Sequence, residues 1–150
     1  KITFIASGKL GLPASALKAM AMGADVIYVA REAMMSIGCI QAQVCHTNRC
    51  PAGIATQNKW LQAGVDPTLK SERFAHYIKT FRKEVLEITH ACGYEHPCQV
   101  NMDDVDLSMG DNNYTMTLQQ CFEYEKVTVP FESMQYLKEC DYLGLPRQLA

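Results

Sequence analysis

Three cysteines, Cys39, Cys45 and Cys50, stand within twelve positions in the stretch GCIQAQVCHTNRCPAGIATQ, residues 38–57, at the spacing C-x5-C-x4-C. Thiolates bunched on one segment serve a metal, an iron–sulfur cluster or nucleophilic chemistry; otherwise they are small buried residues with no ligand. A structural zinc takes four ligands, usually from two C-x2-4-C knuckles. This spacing matches neither knuckle, and the nearest fourth ligand, His46, adjoins Cys45 and is awkwardly aimed. A 3Fe–4S cluster asks for three thiolates, one for each iron. Spacing alone leaves iron–sulfur, zinc and unliganded thiol open.

A second group of residues is fainter. ASGKL, residues 6–10, offers Gly8 for close backbone approach and Lys9 for charge, and VARE, residues 29–32, offers Ala30 and Arg31. Taken alone, Ser7-Gly8-Lys9 reads as an ordinary turn and Arg31 as a solvated charge.

The elements that must position these residues read as follows. Ile2–Ala6 and Val26–Ala30 are short apolar runs of the kind found in strands buried on both faces. Between them Pro13 suits the first position of a helix, Ala16, Leu17, Met20 and Ala21 give one apolar face, and Gly23 suits its end. Strand, helix and strand within thirty residues make a βαβ unit with parallel strands. Two strands do not complete such a sheet, so the others are expected upstream, in a longer chain of which this is a piece. Glu32 to about Val44 favours helix, with Gly38 its weak point. Residues 46–70 read as loop. A long helix is predicted over Ser71–Cys92, its stripe Phe74, Ile78, Phe81, Val85, Ile88 and Cys92 stepping by four and three. Residues 94–116 read as irregular apart from a turn of helix at Asp103–Leu107, and two weaker helices are predicted at Thr117–Tyr124 and Phe131–Tyr142. Cys92, Cys98, Cys121 and Cys140 fall at apolar phases and are expected to be core thiols.

Composition bounds the class. The 150 residues are 48% hydrophobic and 20% charged, with net charge −2, an ordinary globular chain. Charge is uneven: six Lys and Arg against three Asp and Glu give +3 for residues 1–66, five against four give +1 for 67–100, and three against nine give −6 for 101–150. That favours an anionic small molecule near the N-terminal half and argues against nucleic acid, since no basic stripe interleaves with aromatics. The apolar run Ile2–Ala6 is too short for a signal-peptide core, and no run has the length of a membrane span, so no membrane association is expected. Seven cysteines, an odd number with three bunched, point to a reduced cytoplasmic protein rather than a disulfide framework.

The stretch GCIQAQVCHTNRCPAGIATQ, with His46 after the second cysteine and Gly53-x-Ala55-Thr56-Gln57 after the third, closely resembles the iron–sulfur loop of the FMN-binding glutamate synthase family, above all its shorter stand-alone members. The resemblance covers residue 4 to about 100. It implies that Cys39, Cys45 and Cys50 hold a 3Fe–4S cluster; His46, Asn48, Arg49 and Pro51 are read as shaping the loop and pairing its backbone groups. It also implies the end of a TIM (β/α)8 barrel, residues 1–93, with Ile2–Ala6 and Val26–Ala30 as strands seven and eight; residues 94–150, most of which the resemblance does not reach, read from their own pattern as an acidic, mostly irregular and helical C-terminal extension. Barrels of this kind bind phosphate at the loops after those strands, where backbone N–H groups converge. By resemblance, Ser7, Gly8, Lys9, Ala30 and Arg31 hold the FMN phosphate. The larger family members carry glycines where Lys9 and Ala30-Arg31 stand here. The activity implied is reductive amination of 2-oxoglutarate to glutamate with glutamine or ammonia, electrons passing through the cluster to FMN. Catalytic residues are expected upstream, in the rest of the barrel or a partner subunit. Two other readings are a related FMN oxidoreductase using another amino donor such as methylamine, and a zinc-stapled interaction module without catalysis.

Overall fold

The computed structural model describes residues 2–110 and 114–123. The chain opens with strand β1, Ile5–Ser7, helix α1, Pro13–Ala21, and strand β2, Val26–Tyr28. The strands pair in parallel, Ile5 opposite Val26 and Ser7 opposite Tyr28, so the expected βαβ unit forms with strands shorter than the apolar runs. Asp25 sets the register. Its carboxylate accepts the Phe4 N–H at 2.9 Å, and the Phe4 carbonyl accepts from Asp25 and Val26 at 3.0 and 3.1 Å. Pro13 takes the first position of α1, where no N–H is needed.

The strands are not buried on both faces as their composition predicts. Ile2, Phe4, Ile5 and Tyr28 are 64–77% exposed, because a two-stranded sheet with helices on one side leaves its other side uncovered. Only Ile27 reaches the core.

Helix α2, Arg31–Ser36, is less than half the predicted Glu32–Val44. Gly38 ends it: with φ near +106° it adopts a conformation costly for other residues, its N–H bonds Met35 O, and the Cys39 N–H bonds Met34 O at 3.0 Å. The stretch read as loop contains a 3-10 turn at Cys45–Thr47 and a short helix α3, Lys59–Gln62. Helix α4, Pro67–Ala91, starts four residues before the predicted Ser71. There Asp66 accepts the N–H groups of Thr68 and Leu69, at 2.9 and 3.4 Å, and Pro67 takes the first position.

Ala16 and Leu17 of α1 pack with Val85 of α4 and with Val100, and Ala21, Ile27, Phe81, Tyr94 and Val105 close around them. The buried row of α4 differs from the predicted stripe. Val85 and Thr89 are buried and Tyr77, Ile78 and Phe81 half-buried, whereas Phe74 and Ile88 are 40% and 39% exposed. The row Tyr77–Phe81–Val85–Thr89 steps by four throughout, following one ridge of the helix where it meets α1. Thr89 enters the core because its hydroxyl donates back to Val85 O at 2.8 Å. Cys92, just past α4, is exposed and is not a core thiol; neither is Cys121, while Cys98 is half-buried.

Residues 101–110 and 114–117 are more regular than predicted. A turn at Asn101–Asp104, closed by the Asn101 N–H to the Asp104 carboxylate at 2.9 Å, replaces the turn of helix expected at Asp103–Leu107. Strands β3, Asp106–Ser108, and β4, Thr115–Thr117, then form an antiparallel pair with Leu107 opposite Met116. Helix α5, Leu118–Phe122, begins at Thr117, whose hydroxyl accepts the Gln120 N–H while the Gln120 side chain accepts the Thr117 N–H. It is shorter than the predicted Thr117–Tyr124. The predicted helix Phe131–Tyr142 and Cys140 lie outside the described residues. Among those residues no helix is long and apolar enough to cross a membrane.

Candidate functional site

Parallel pairing carries the chain out of both strands at the same edge. Ser7 is paired with Tyr28, and its hydroxyl donates to Tyr28 O at 3.3 Å, so Gly8-Lys9 and Val29-Ala30-Arg31 leave side by side. Gly8 and Lys9 both have positive φ, about +116° and +56°, which turns the backbone sharply directly after β1. Ser7, Gly8, Lys9, Ala30 and Arg31 are all exposed. Ala30 caps α2 without a side-chain hydrogen bond, and Arg31 is its first residue. Two cations, Lys9 and Arg31, thus flank one sheet edge.

Helix α2 joins this corner to the cysteine loop. Arg31 begins it and Cys39 follows its glycine stop eight positions on, the helix itself rising about 7.5 Å from Arg31 to Ser36. The loop is backbone-strained: Gln41, Gln43 and Asn48, none of them glycine, have φ of 55°, 57° and 60°. Such conformations cost of order 1–3 kcal/mol each and concentrate at functional loops. The Gln41 N–H bonds Cys39 Sγ at 3.4 Å, and its amide reaches Met35 Sδ at 2.8 Å.

The second half of the loop is held by polar contacts around Thr56. Its buried hydroxyl lies 2.7 Å from Asn48 O and 2.9 Å from Asn48 Oδ1, and accepts the Asn58 N–H at 3.1 Å. Asn48 Oδ1 also accepts the Gln57 N–H at 2.6 Å, and Gln62 Nε2 donates to Thr56 O at 2.6 Å. Gly53 is packed against the Leu61 carbonyl and Val65, with no room for a Cβ. An open depression of about 510 Å³ lies here, lined by Cys45, His46, Asn48, Ala55, Thr56 and Gln57 among others.

The three thiols differ. Cys50 is buried, Cys39 half-buried and Cys45 exposed. Backbone N–H groups of the turn after Cys50, Ala55 first and then Ala52, Ile54 and Gly53, hold its thiol below the usual range, against an opposing effect of desolvation. Among the described residues no three His, Cys, Asp or Glu side chains converge closely enough to hold a metal ion. Sequence reasoning passed over Thr56, Gln62 and Gly53 as fasteners of this loop. Their signal lay in its turn chemistry, a threonine and a glycine bracketing Ile54-Ala55, rather than in any metal-ligand spacing.

Comparison with known proteins follows the same residues. A family model described as the conserved region in glutamate synthase matches residues 1–95. The glutamate synthase large subunit-like protein YerD of Bacillus subtilis is 38% identical over 105 residues, 70% of this chain and 20% of its own. The archaeal glutamate synthase [NADPH] of Methanocaldococcus jannaschii is 39% identical over 93 residues, 62% of this chain and 18% of its own. The ferredoxin-dependent glutamate synthase of Pyropia yezoensis is 32% identical over 105 residues, 70% of this chain and 6% of its own. The chain therefore spans a fifth or less of the length of these relatives. No solved structure matches it. With the match running through both the basic corner and the whole cysteine loop, this chain belongs to the glutamate synthase family.

Proposed function

We propose that these residues are part of a flavin- and iron–sulfur-dependent oxidoreductase that forms glutamate from 2-oxoglutarate with glutamine or ammonia as amino donor. In this reading residues 1–93 are the end of a (β/α)8 barrel and 94–150 an extension beyond it. Lys9 and Arg31, with the backbone of Ser7, Gly8 and Ala30, bind the phosphate of FMN by charge and N–H donation. Cys39, Cys45 and Cys50 hold a 3Fe–4S cluster. The donor chemistry fits: three thiols on one strained loop, one of them cradled by the N–H groups that favour a thiolate and stabilise cluster sulfur. Bound there, the two groups supply electron transfer and hydride chemistry. The chain's own residues bind, orient and fix their spacing. The names of the relatives divide between NADPH and ferredoxin as reductant, and this piece does not choose between them.

The observation that carries the reading is that one short helix, α2, has the basic corner at its start and the first cysteine directly after its end. The test uses the full-length protein, purified without oxygen. It should contain about three irons and four acid-labile sulfides per chain and one FMN, and Cys45→Ser should lose the iron. It should form glutamate from 2-oxoglutarate and glutamine or ammonia under a reductant; methylamine serves as the competing donor. Zinc without labile sulfide, or unchanged iron in Cys45→Ser, would remove the assignment.

A further inference from the structure

We propose that Lys70 of α4 sets the reduction potential of the group that Cys39, Cys45 and Cys50 hold, an inference that rests on the cysteine loop being an iron–sulfur loop. The Lys70 side chain reaches from α4 to the glycine stop of α2. Its Nζ lies 2.9 Å from the point that a Cβ on Gly38 would occupy, and its Cε 3.8 Å. Gly38 adjoins Cys39, and consecutive Cα atoms are about 3.8 Å apart, so the ammonium is within about 9 Å of the Cys39 Cα. Lys70 is half-buried, whereas residues 67–69 and 71–76 around it are exposed. The start of α4 thus turns this lysine, rather than an apolar neighbour, toward the cysteine loop.

That placement is unfavourable unless a negative group stands nearby. Lys70 ends the first turn of a 25-residue helix, where the free N–H groups make a positive end and a cation is disfavoured. No acidic side chain shares that turn. The carboxylate of Asp66, just before it, already accepts the N–H groups of Thr68 and Leu69. From there back to Glu32 the sequence has 33 residues with no Asp or Glu. Among the described residues Lys70 makes no ion pair. Three thiolates around an iron–sulfur core supply the missing negative charge, and one-electron reduction increases it. A cation at this distance attracts the reduced form more than the oxidised one, and half-burial limits its screening by salt. Lys70 therefore raises the potential at which the cysteine-held group accepts an electron. The electron comes from a one-electron donor, which is oxidised in turn; no bond forms or breaks.

The test titrates the full-length protein with dithionite, without oxygen, and follows the electron paramagnetic resonance of the oxidised cluster. Lys70→Met and Lys70→Gln remove the charge and keep most of the side chain's length. Each should shift the equilibrium about tenfold toward the oxidised form, or about 59 mV downward for one electron, with iron content unchanged. Lys70→Arg should keep the wild-type potential, and Lys70→Glu should lower it further than the neutral variants do. Lys83→Met removes an exposed charge about 20 Å further along α4 and should leave the potential at the wild-type value. Iron missing from the wild type overturns the cysteine reading and this proposal with it. Iron present with an unchanged potential in both neutral variants overturns the proposal alone, as does a fall in Lys70→Arg equal to theirs. Iron kept by the wild type but lost from both neutral variants would make Lys70 a fastener of the loop, and would also overturn it.

Discussion

The Tyr77 hydroxyl of α4 donates to the Gly11 carbonyl at 3.0 Å, across 66 positions of sequence. Gly11 is buried because the Glu32 side chain of α2 occupies the place a Cβ would take. Three segments therefore meet at one point: the loop after β1, the first turn of α2, and α4. Burial, and secondarily the Glu32 carboxylate, push the Tyr77 phenol above its usual range, so it remains a donor at neutral pH. This junction holds the Gly8-Lys9 loop and Arg31 in fixed relation. Tyr77→Phe should cost about 0.5–1.5 kcal/mol in urea unfolding of the full-length protein, the net worth of one such bond. Gly11→Ala should cost more, because Glu32 must move. An unfolding midpoint in Gly11→Ala equal to wild type would show that the contact is soft.

The row along α4 gives a sharper contrast. Val85 is buried and Phe81 half-buried against α1, whereas Ile88 is 39% exposed on the same helix. Phe81→Ala should cost roughly 2–4 kcal/mol, below the full range for a completely enclosed ring. Ile88→Ala should cost less than about 1 kcal/mol. Equal losses at the two sites would mean that the helix buries the stripe stepping by four and three after all.

Those two residues also show what was legible in the sequence. Periodicity gave α4 as a long amphipathic helix, but apolarity alone could not choose between two neighbouring rows. Thr89 is polar by type and satisfied inside its own helix, so it took a core position that Ile88 and Cys92 were expected to share. Gly38 was visible as a weak point, yet the helix ended there outright, because its glycine stop is what delivers the Cys39 N–H to Met34. Three-residue strands such as Asp106–Ser108 show only one turn of alternation, too little to read. The cysteine spacing was plain in the sequence. The scaffold around Thr56 was not, since its bonds join side chains to backbone eight and nine positions away.

Asn48 joins two demands that substitution can separate. Its backbone has φ near +60°, tolerated by Asn and Gly, and its side-chain oxygen accepts the Gln57 N–H. Asn48→Gly keeps the backbone and loses the acceptor, at about 0.5–1.5 kcal/mol. Asn48→Ala loses both and should cost about 1–2 kcal/mol more. Iron retention after gel filtration should fall in the same order. Equal behaviour of the two variants would mean that the left-handed backbone is not a constraint here.

The last expectation concerns acid. His96 caps the turn at Pro97–Gln99: its Nδ1 accepts the Cys98 N–H at 3.2 Å and lies 2.9 Å from Cys98 Sγ. An acceptor at Nδ1 must be unprotonated, so the neutral ring with its proton on Nε2 is the form that fits. Burial lowers the His96 pKa from its ordinary 6.5, and burial also pushes the Cys98 thiol up, which keeps both partners neutral. As pH falls through 6.5 the unfolded chain takes up the proton first. Unfolding then binds protons, so the contribution of His96 is present in full above that value and declines below it, until the pH falls past the lowered folded value. His96→Asn retains a capping oxygen without a titrating group, and should stay within about 1 kcal/mol of wild type above pH 7. Urea midpoints measured between about pH 5 and 7.5 should fall more steeply for wild type than for His96→Asn. The comparison cancels the carboxylates common to both. Parallel pH profiles would place the His96 ring in its ordinary titration range and remove the neutral cap.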